Sequence, residues 1–160
     1  MPSGPDALSP EDYSALGEFR YRIRCFLHFS ESAARAEGLE PQQHQLLLAV
    51  RSLEQPDGPT IGALADHLLI RHHSAVGLID RMEERGLIER RRGTGDRRQV
   101  KVRLTAQGGA KLNRLSVIHR EELRDSGPSL VAALSGVLGQ LQGEKSTKEQ
   151  DVFPPRESYR

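Results

Sequence analysis

His72, His73 and Ser74 open a stretch with helical apolar spacing, and Gly77 and Arg81 follow them on one face. Imidazoles and a hydroxyl in such a row hydrogen-bond to purine N7 or to phosphate, and a glycine one turn later lets a backbone come close to a partner. Arg71, just ahead of the row, and Arg81 supply charge for phosphates. A second group, Asp96, Arg97 and Arg98, lies in a turn-rich stretch at residues 93–98. A guanidinium at a protruding tip is rewarded in a narrow, electronegative minor groove, and a neighbouring carboxylate can fix its direction. Thr60 precedes another short helical pattern and can present that helix start to a phosphate. Between Arg71 and Arg103 ten basic residues face five acidic ones, a local excess of +5 in a chain of net charge +1. Affinity for a duplex comes largely from phosphate contacts, so a basic footprint confined to one segment is what such binding requires.

Other chemistries fit poorly. His67, His72 and His73 do not converge as a metal set, because adjacent side chains on a helix diverge by about 100° and no cysteine supports them. The chain has no Walker spacing and no Gly-x-Ser-x-Gly elbow, so no catalytic residues, cofactor or metal are expected. The single cysteine, Cys25, excludes an internal disulfide. With 36% hydrophobic and 28% charged residues, the 160-residue chain closes a core, and its plain apolar runs are far too short to span a bilayer. Its first residues carry no secretion pattern, so a soluble, cytoplasmic protein is expected.

These residues need elements to hold them. Ser9-Pro10-Glu11-Asp12 starts a long helix whose stripe of Leu16, Phe19, Ile23, Phe26 and Ala33 runs to Gly38. Glu40-Pro41 restarts a helix that ends at Pro56–Pro59. Thr60 caps a short helix with Leu64, Ala65 and Leu68, and a tight turn leads to a second helix between Arg71 and Arg85. There Ala75, Leu78, Ile79 and Met82 face inward, turning His73, Gly77, Arg81 and, less squarely, Ser74 outward. Gly86 ends it, residues 87–91 read as a strand, and Val100, Val102 and Leu104 alternate as a second one. Thr105 caps a further helix, a break is expected at Ser126-Gly127-Pro128, and a last helix follows. The expected fold is mainly α with a small β-hairpin wing: a winged helix-turn-helix flanked by N- and C-terminal helices that form a dimerisation region. Its divisions are a flexible start at 1–8, a dimerisation helix at 9–40, the winged module at 41–104, C-terminal dimerisation helices at 105–142 and a flexible tail at 143–160.

Asp96-Arg97-Arg98, then Val102, Leu104-Thr105 and Gly108, resembles the wing signature of MarR-type (multiple antibiotic resistance regulator) transcription factors. Asp80-Arg81-Met82-Glu83 through Gly86-Leu87-Ile88 resembles the family's recognition-helix end and following strand. The resemblance spans roughly residues 11–141 and is specific around 80–108. It implies a homodimer with intertwined terminal helices that reads a pseudo-palindromic operator, usually as a repressor released by a small ligand, such as an aromatic or phenolic effector, or by oxidation. A dimer also follows from the terminal helices, whose apolar stripes one small winged domain cannot cover. Some relatives sense peroxide through a first-helix cysteine held by tyrosines, which makes Cys25 an alternative trigger. Here the phenols are Tyr13 and Tyr21 on the first helix and Tyr159 in the tail, which departs from that pattern. A winged helix used to dock another protein is the third reading.

Overall fold

Among the described residues five helices and one hairpin follow in the order α1 (Pro10–Ala36), α2 (Pro41–Ser52), α3 (Ile61–His67), α4 (His72–Glu84), β1 (Ile88–Arg92), β2 (Val100–Leu104) and α5 (Ala106–Gln150). The structure, a computed structural model, describes residues 8–53, 57–93 and 99–150, with the side chains of 141–150 excepted.

Local chemistry sets the helix starts. The Ser9 hydroxyl accepts from the Asp12 amide at 3.1 Å while the Asp12 carboxylate accepts from the Ser9 amide at 2.8 Å. At α2 the Glu40 amide donates to Gln43 Oε1 at 3.0 Å, with Pro41 at the first helical position. Thr60 Oγ1 accepts from the Ala63 amide at 3.1 Å and caps α3. Each device satisfies donors that a helix leaves without an intrahelical partner. The ends of α1 and α4 hook back through left-handed glycines, Gly38 at φ 71° and Gly86 at φ 68°.

α5 departs from the expected pair of C-terminal helices. It runs unbroken through Ser126, Gly127 and Pro128 and continues to Gln150, past the expected start of a tail at 143. An internal proline removes one backbone hydrogen bond and crowds the preceding turn, at a cost of about 3 kcal/mol or more. Good helix formers on both sides, Leu130, Ala132 and Ala133 among them, let the helix propagate across that local fault.

The chain divides into two units, one of residues Met1–His28 with Glu122–Arg160 and one of Phe29–Glu121. All the buried apolar side chains found among the described residues belong to the second unit. There Leu46 and Leu47 of α2, Leu64 of α3, Ile79 and Met82 of α4, Ile88 and Val102 of the hairpin and Leu115 of α5 pack together. β1 and β2 pair antiparallel in the register Ile88↔Leu104 to Arg92↔Val100. Thr60 bridges to Lys101, and the Val102 amide donates to Pro59 O at 2.9 Å, which ties the start of α3 to the hairpin. In the first unit α1 and α5 leave Leu16, Val131, Leu134 and Leu138 exposed.

His44 is a buried polar residue of the core, only 6% exposed. Its ring lies 4.8 Å from that of His119. The carbonyl of Leu115 accepts from His119 Nδ1 at 2.7 Å, and His119 Nε2 lies in hydrogen-bond contact with the Ser30 hydroxyl at 2.8 Å. Burial, reinforced by the facing His119, pushes the His44 pKa from 6.5 down to about 4. The unfolded chain therefore takes up this proton first, so the stability His44 contributes is complete above about pH 6.5 and drains away as the pH falls toward 4. Between about pH 7.5 and about pH 5 the wild type is expected to lose about 2 kcal/mol more than a His44→Gln variant, read by urea denaturation at both values. Equal losses in the two proteins would refute the assignment.

Candidate nucleic-acid interface

The orientation of α4 is set by what it buries. Ala75, Leu78, Ile79 and Met82 are buried, and His73, Gly77 and Arg81 lie on the opposite side, His73 and Arg81 exposed and Gly77 half-exposed. Ser74 is exposed less squarely on that side, and His72 is exposed at the first turn, turned about 100° from His73. Arg71 stands immediately before them as the N-cap, in an extended conformation and without a side-chain cap hydrogen bond. Gly77 is not small because of its neighbours: a Cβ there would meet only Arg81 Nη1, at an ordinary 3.6 Å. Thr60 sits at the cap of α3, where its oxygen accepts from the Ala63 amide and its O–H can still donate. Asp96, Arg97 and Arg98 lie outside the described residues.

The hairpin is fixed at its root. The Thr105 hydroxyl donates to Gly86 O at 2.7 Å and accepts from the Gly108 amide at 3.1 Å. At Gly108 a Cβ would come within 1.9 Å of Leu87 O, so glycine is the residue that lets α5 approach the end of α4. Threonine and glycine in this spacing are therefore parts of one joint between wing and helix.

Counting charges overstates the footprint. Arg90 Nη1 and Nη2 bind the carboxylates of Glu83 and Asp80, and its amide donates to Glu83 at 2.9 Å. Partial burial opposes the charge on Arg90, but the hydrogen bonds to Asp80 and Glu83 prevail and raise its pKa. Arg85 donates to Gln43 Oε1 at 2.6 Å and to Gly38 O at 2.7 Å, clamping the end of α4 to the α1–α2 turn. Arg91 pairs with Glu89 at 2.7 Å, and Arg103 lies 3.7 Å from Asp57. Arg71, Arg81, Arg92 and Lys101 have no ion-pair partner among the described carboxylates.

The sequence reading assigned Arg85 and Arg90 to the basic footprint and missed their structural ties. Asp80 and Glu83, spaced to share a helix face ahead of a strand arginine, were the available signal. It also passed over Leu69, which lies in the turn before α4 with φ 54° and is 92% exposed. A run of three apolar residues, Leu68-Leu69-Ile70, across a turn with no glycine was its trace in the sequence. The trio His67, His72 and His73 does not converge, and no group suited to a metal ion occurs among the described residues. Cys25 is exposed, and its hydrogen bond with Tyr21 raises the phenol above its usual pKa. No helix among the described residues is long and apolar enough to cross a membrane.

A model of the MarR family matches residues 37–99. The HTH-type transcriptional regulator PecS of Dickeya dadantii is 30% identical over 87 residues, 54% of this chain and 52% of that protein. The chain thus spans about half the length of that relative. AbsC, a MarR family transcriptional regulator from Streptomyces coelicolor, has a similar fold, with a TM-score of 0.66 at 21% identity over 86% of this chain and 98% of its own. The transcriptional repressor CouR, solved bound to a 23-mer DNA duplex, gives a TM-score of 0.57 at 26% identity over 74% of this chain and 87% of its own.

Arg90→Ala is expected to lower stability by about 1–2 kcal/mol, a charge-assisted pair discounted for the exposure of its carboxylates. Arg90→Lys restores only part of the loss, because one ammonium cannot fork between Asp80 and Glu83. Denaturation midpoints of the three proteins decide the matter: an unchanged alanine variant contradicts it.

Proposed function

We propose that this chain, whose residues 37–99 match a model of the MarR family, is a duplex-DNA-binding transcriptional repressor of that family acting as a homodimer. The observation that carries the reading is the outward face of α4. A helix whose rotation is fixed by four buried side chains offers two histidines, a serine, a glycine of no internal necessity and an arginine, behind an N-terminus with no side-chain cap. His72, His73 and Ser74 meet base edges, Gly77 admits the helix deeply into the major groove, and Arg71 and Arg81 approach phosphates. Thr60 donates its O–H to a phosphate. Arg97 and Arg98 serve the minor groove, with Asp96 directing them. Binding, not catalysis, is the activity, and the cytoplasm is its place.

The homodimer reading is supported by the first unit. Its apolar side chains Leu16, Val131, Leu134 and Leu138 remain exposed, and none of its described residues belongs to the buried core. A two-fold partner covers such a stripe and sets two α4 helices about 34 Å apart, one duplex turn, over a pseudo-palindromic operator. Release by a small aromatic or phenolic effector is what the family resemblance adds.

Gly77→Ala separates stability from binding. Alanine is expected to strengthen the helix by up to about 1 kcal/mol and to raise the melting temperature, while weakening binding to duplexes selected from random sequence. Wild-type affinity should also fall steeply between low and moderate salt, as phosphate contacts release counterions. An alanine variant that binds its operator undiminished, or an affinity indifferent to salt, counts against the interface.

A further inference from the structure

Among the described residues, three helices end in the same hydrogen-bonded hook. After α1 the Gly38 and Leu39 amides donate to the carbonyls of Arg35 and Ala34, and after α4 the Gly86 and Leu87 amides donate to those of Glu83 and Met82. After α3 the Leu69 amide donates to Asp66 O at 3.1 Å and the Ile70 amide to Ala65 O at 3.0 Å. The hook turns on one left-handed residue, a place where glycine carries no steric penalty. Glycine fills it twice, and leucine fills it at 69.

Leu69 also has the most exposed large apolar side chain among the described residues. One position therefore combines a disfavoured backbone with a wetted leucine, where a glycine, used for the same turn at both other sites, would remove both. Strain of this kind persists at binding sites, where it positions a group for a partner. The location names the partner: Arg71 caps α4 two residues later, and the exposed His72, His73 and Ser74 follow directly.

We propose that Leu69 is a specificity-determining contact of the duplex interface, packing on the C5-methyl group of a thymine at the major-groove edge beside the α4 N-terminus. The proposal rests on the duplex-binding reading above. The thymine methyl is the apolar feature that base edges present in the major groove, and it is absent from the other three bases. Leucine at 69 selects A·T in one orientation there, a discrimination that glycine in the same turn cannot make.

The test pairs a variant with a base analogue. Leu69→Gly is expected to melt at or above the wild-type temperature, because the backbone strain is relieved. On the duplex the wild type selects from random sequence, each thymine is replaced in turn by deoxyuridine, which removes only the methyl. The wild type should lose about three- to fivefold in affinity at one thymine per half-site, the scale of burying one methyl-sized group. Leu69→Gly should bind the thymine and uracil duplexes equally at that position, and more weakly than the wild type binds thymine. Leu69→Asn, also tolerated in the left-handed region, gives the same readout if the glycine variant melts early. Methyl losses that are identical in wild type and variant overturn the contact, as does a variant of undiminished affinity, which would assign Leu69 to a protein partner instead. A wild type that selects no duplex at all fails in a different way, and takes the regulator reading down with it.

Discussion

The burial of Ala75, Leu78, Ile79 and Met82 determines almost everything else in the winged module. Rotating α4 by one residue would carry this set out of the core by about 100° and expose it to water, so the outward face is fixed by what the inward face must bury. The remaining freedom, tilt and translation, is removed at the C-terminal end. Arg85 holds that end to the Gly38 carbonyl and Gln43, Arg90 holds the following strand to Asp80 and Glu83, and Thr105 holds it to the Gly86 carbonyl. At the N-terminal end the N-cap Arg71 makes no side-chain cap hydrogen bond, and on the proposed reading that is the end offered to a partner.

This arrangement divides the basic residues into two kinds. Arg85, Arg90, Arg91 and Arg103 are matched to carboxylates, a carbonyl or a side-chain amide of the protein and act as struts. Arg71, Arg81, Arg92 and Lys101 stand apart from the described carboxylates, so the field that a polyanion meets is narrower than a charge count over residues 71–103 implies. A strut that left its carboxylates to reach a phosphate would exchange one charge-assisted bond for another and gain little. On the proposed reading, the cations without a described carboxylate partner are the ones with most to gain from a phosphate.

Much of the fold could be read from residue types, because the signals are local. Ser9, Thr60 and Thr105 as caps, Gly38 and Gly86 as stops, and the inward stripe of α4 each act within one or two turns of chain. The break expected at Pro128 fails for the complementary reason: a proline reports a local cost, whereas helix continuity is settled by the turns on either side. The ties of Arg85 and Arg90 join residues 42 and 10 positions apart, beyond what periodicity registers. The outward face of α4 was legible, its boundaries within a residue or two. Asp96, Arg97 and Arg98 carry a sequence signature but lie outside the described residues.

Local preference loses at two places near the N-terminal half of α4. Gly77 weakens a helix that has room for alanine, and Leu69 occupies a turn that two other helices of this chain build with glycine. Swapping the general logic of the two positions, glycine at 69 and alanine at 77, would favour folding at both. Left-handed backbone in a residue other than glycine costs about 1–2 kcal/mol, and glycine within a helix about 1 kcal/mol, sizeable fractions of the margin by which a small domain is stable. Neither cost is offset by a contact inside the chain, since the leucine is wetted and the space beside the glycine is open. Residues that favour neither the fold nor solvent, placed on the same exposed end of one helix, are accounted for most simply by a surface that is covered when the protein works.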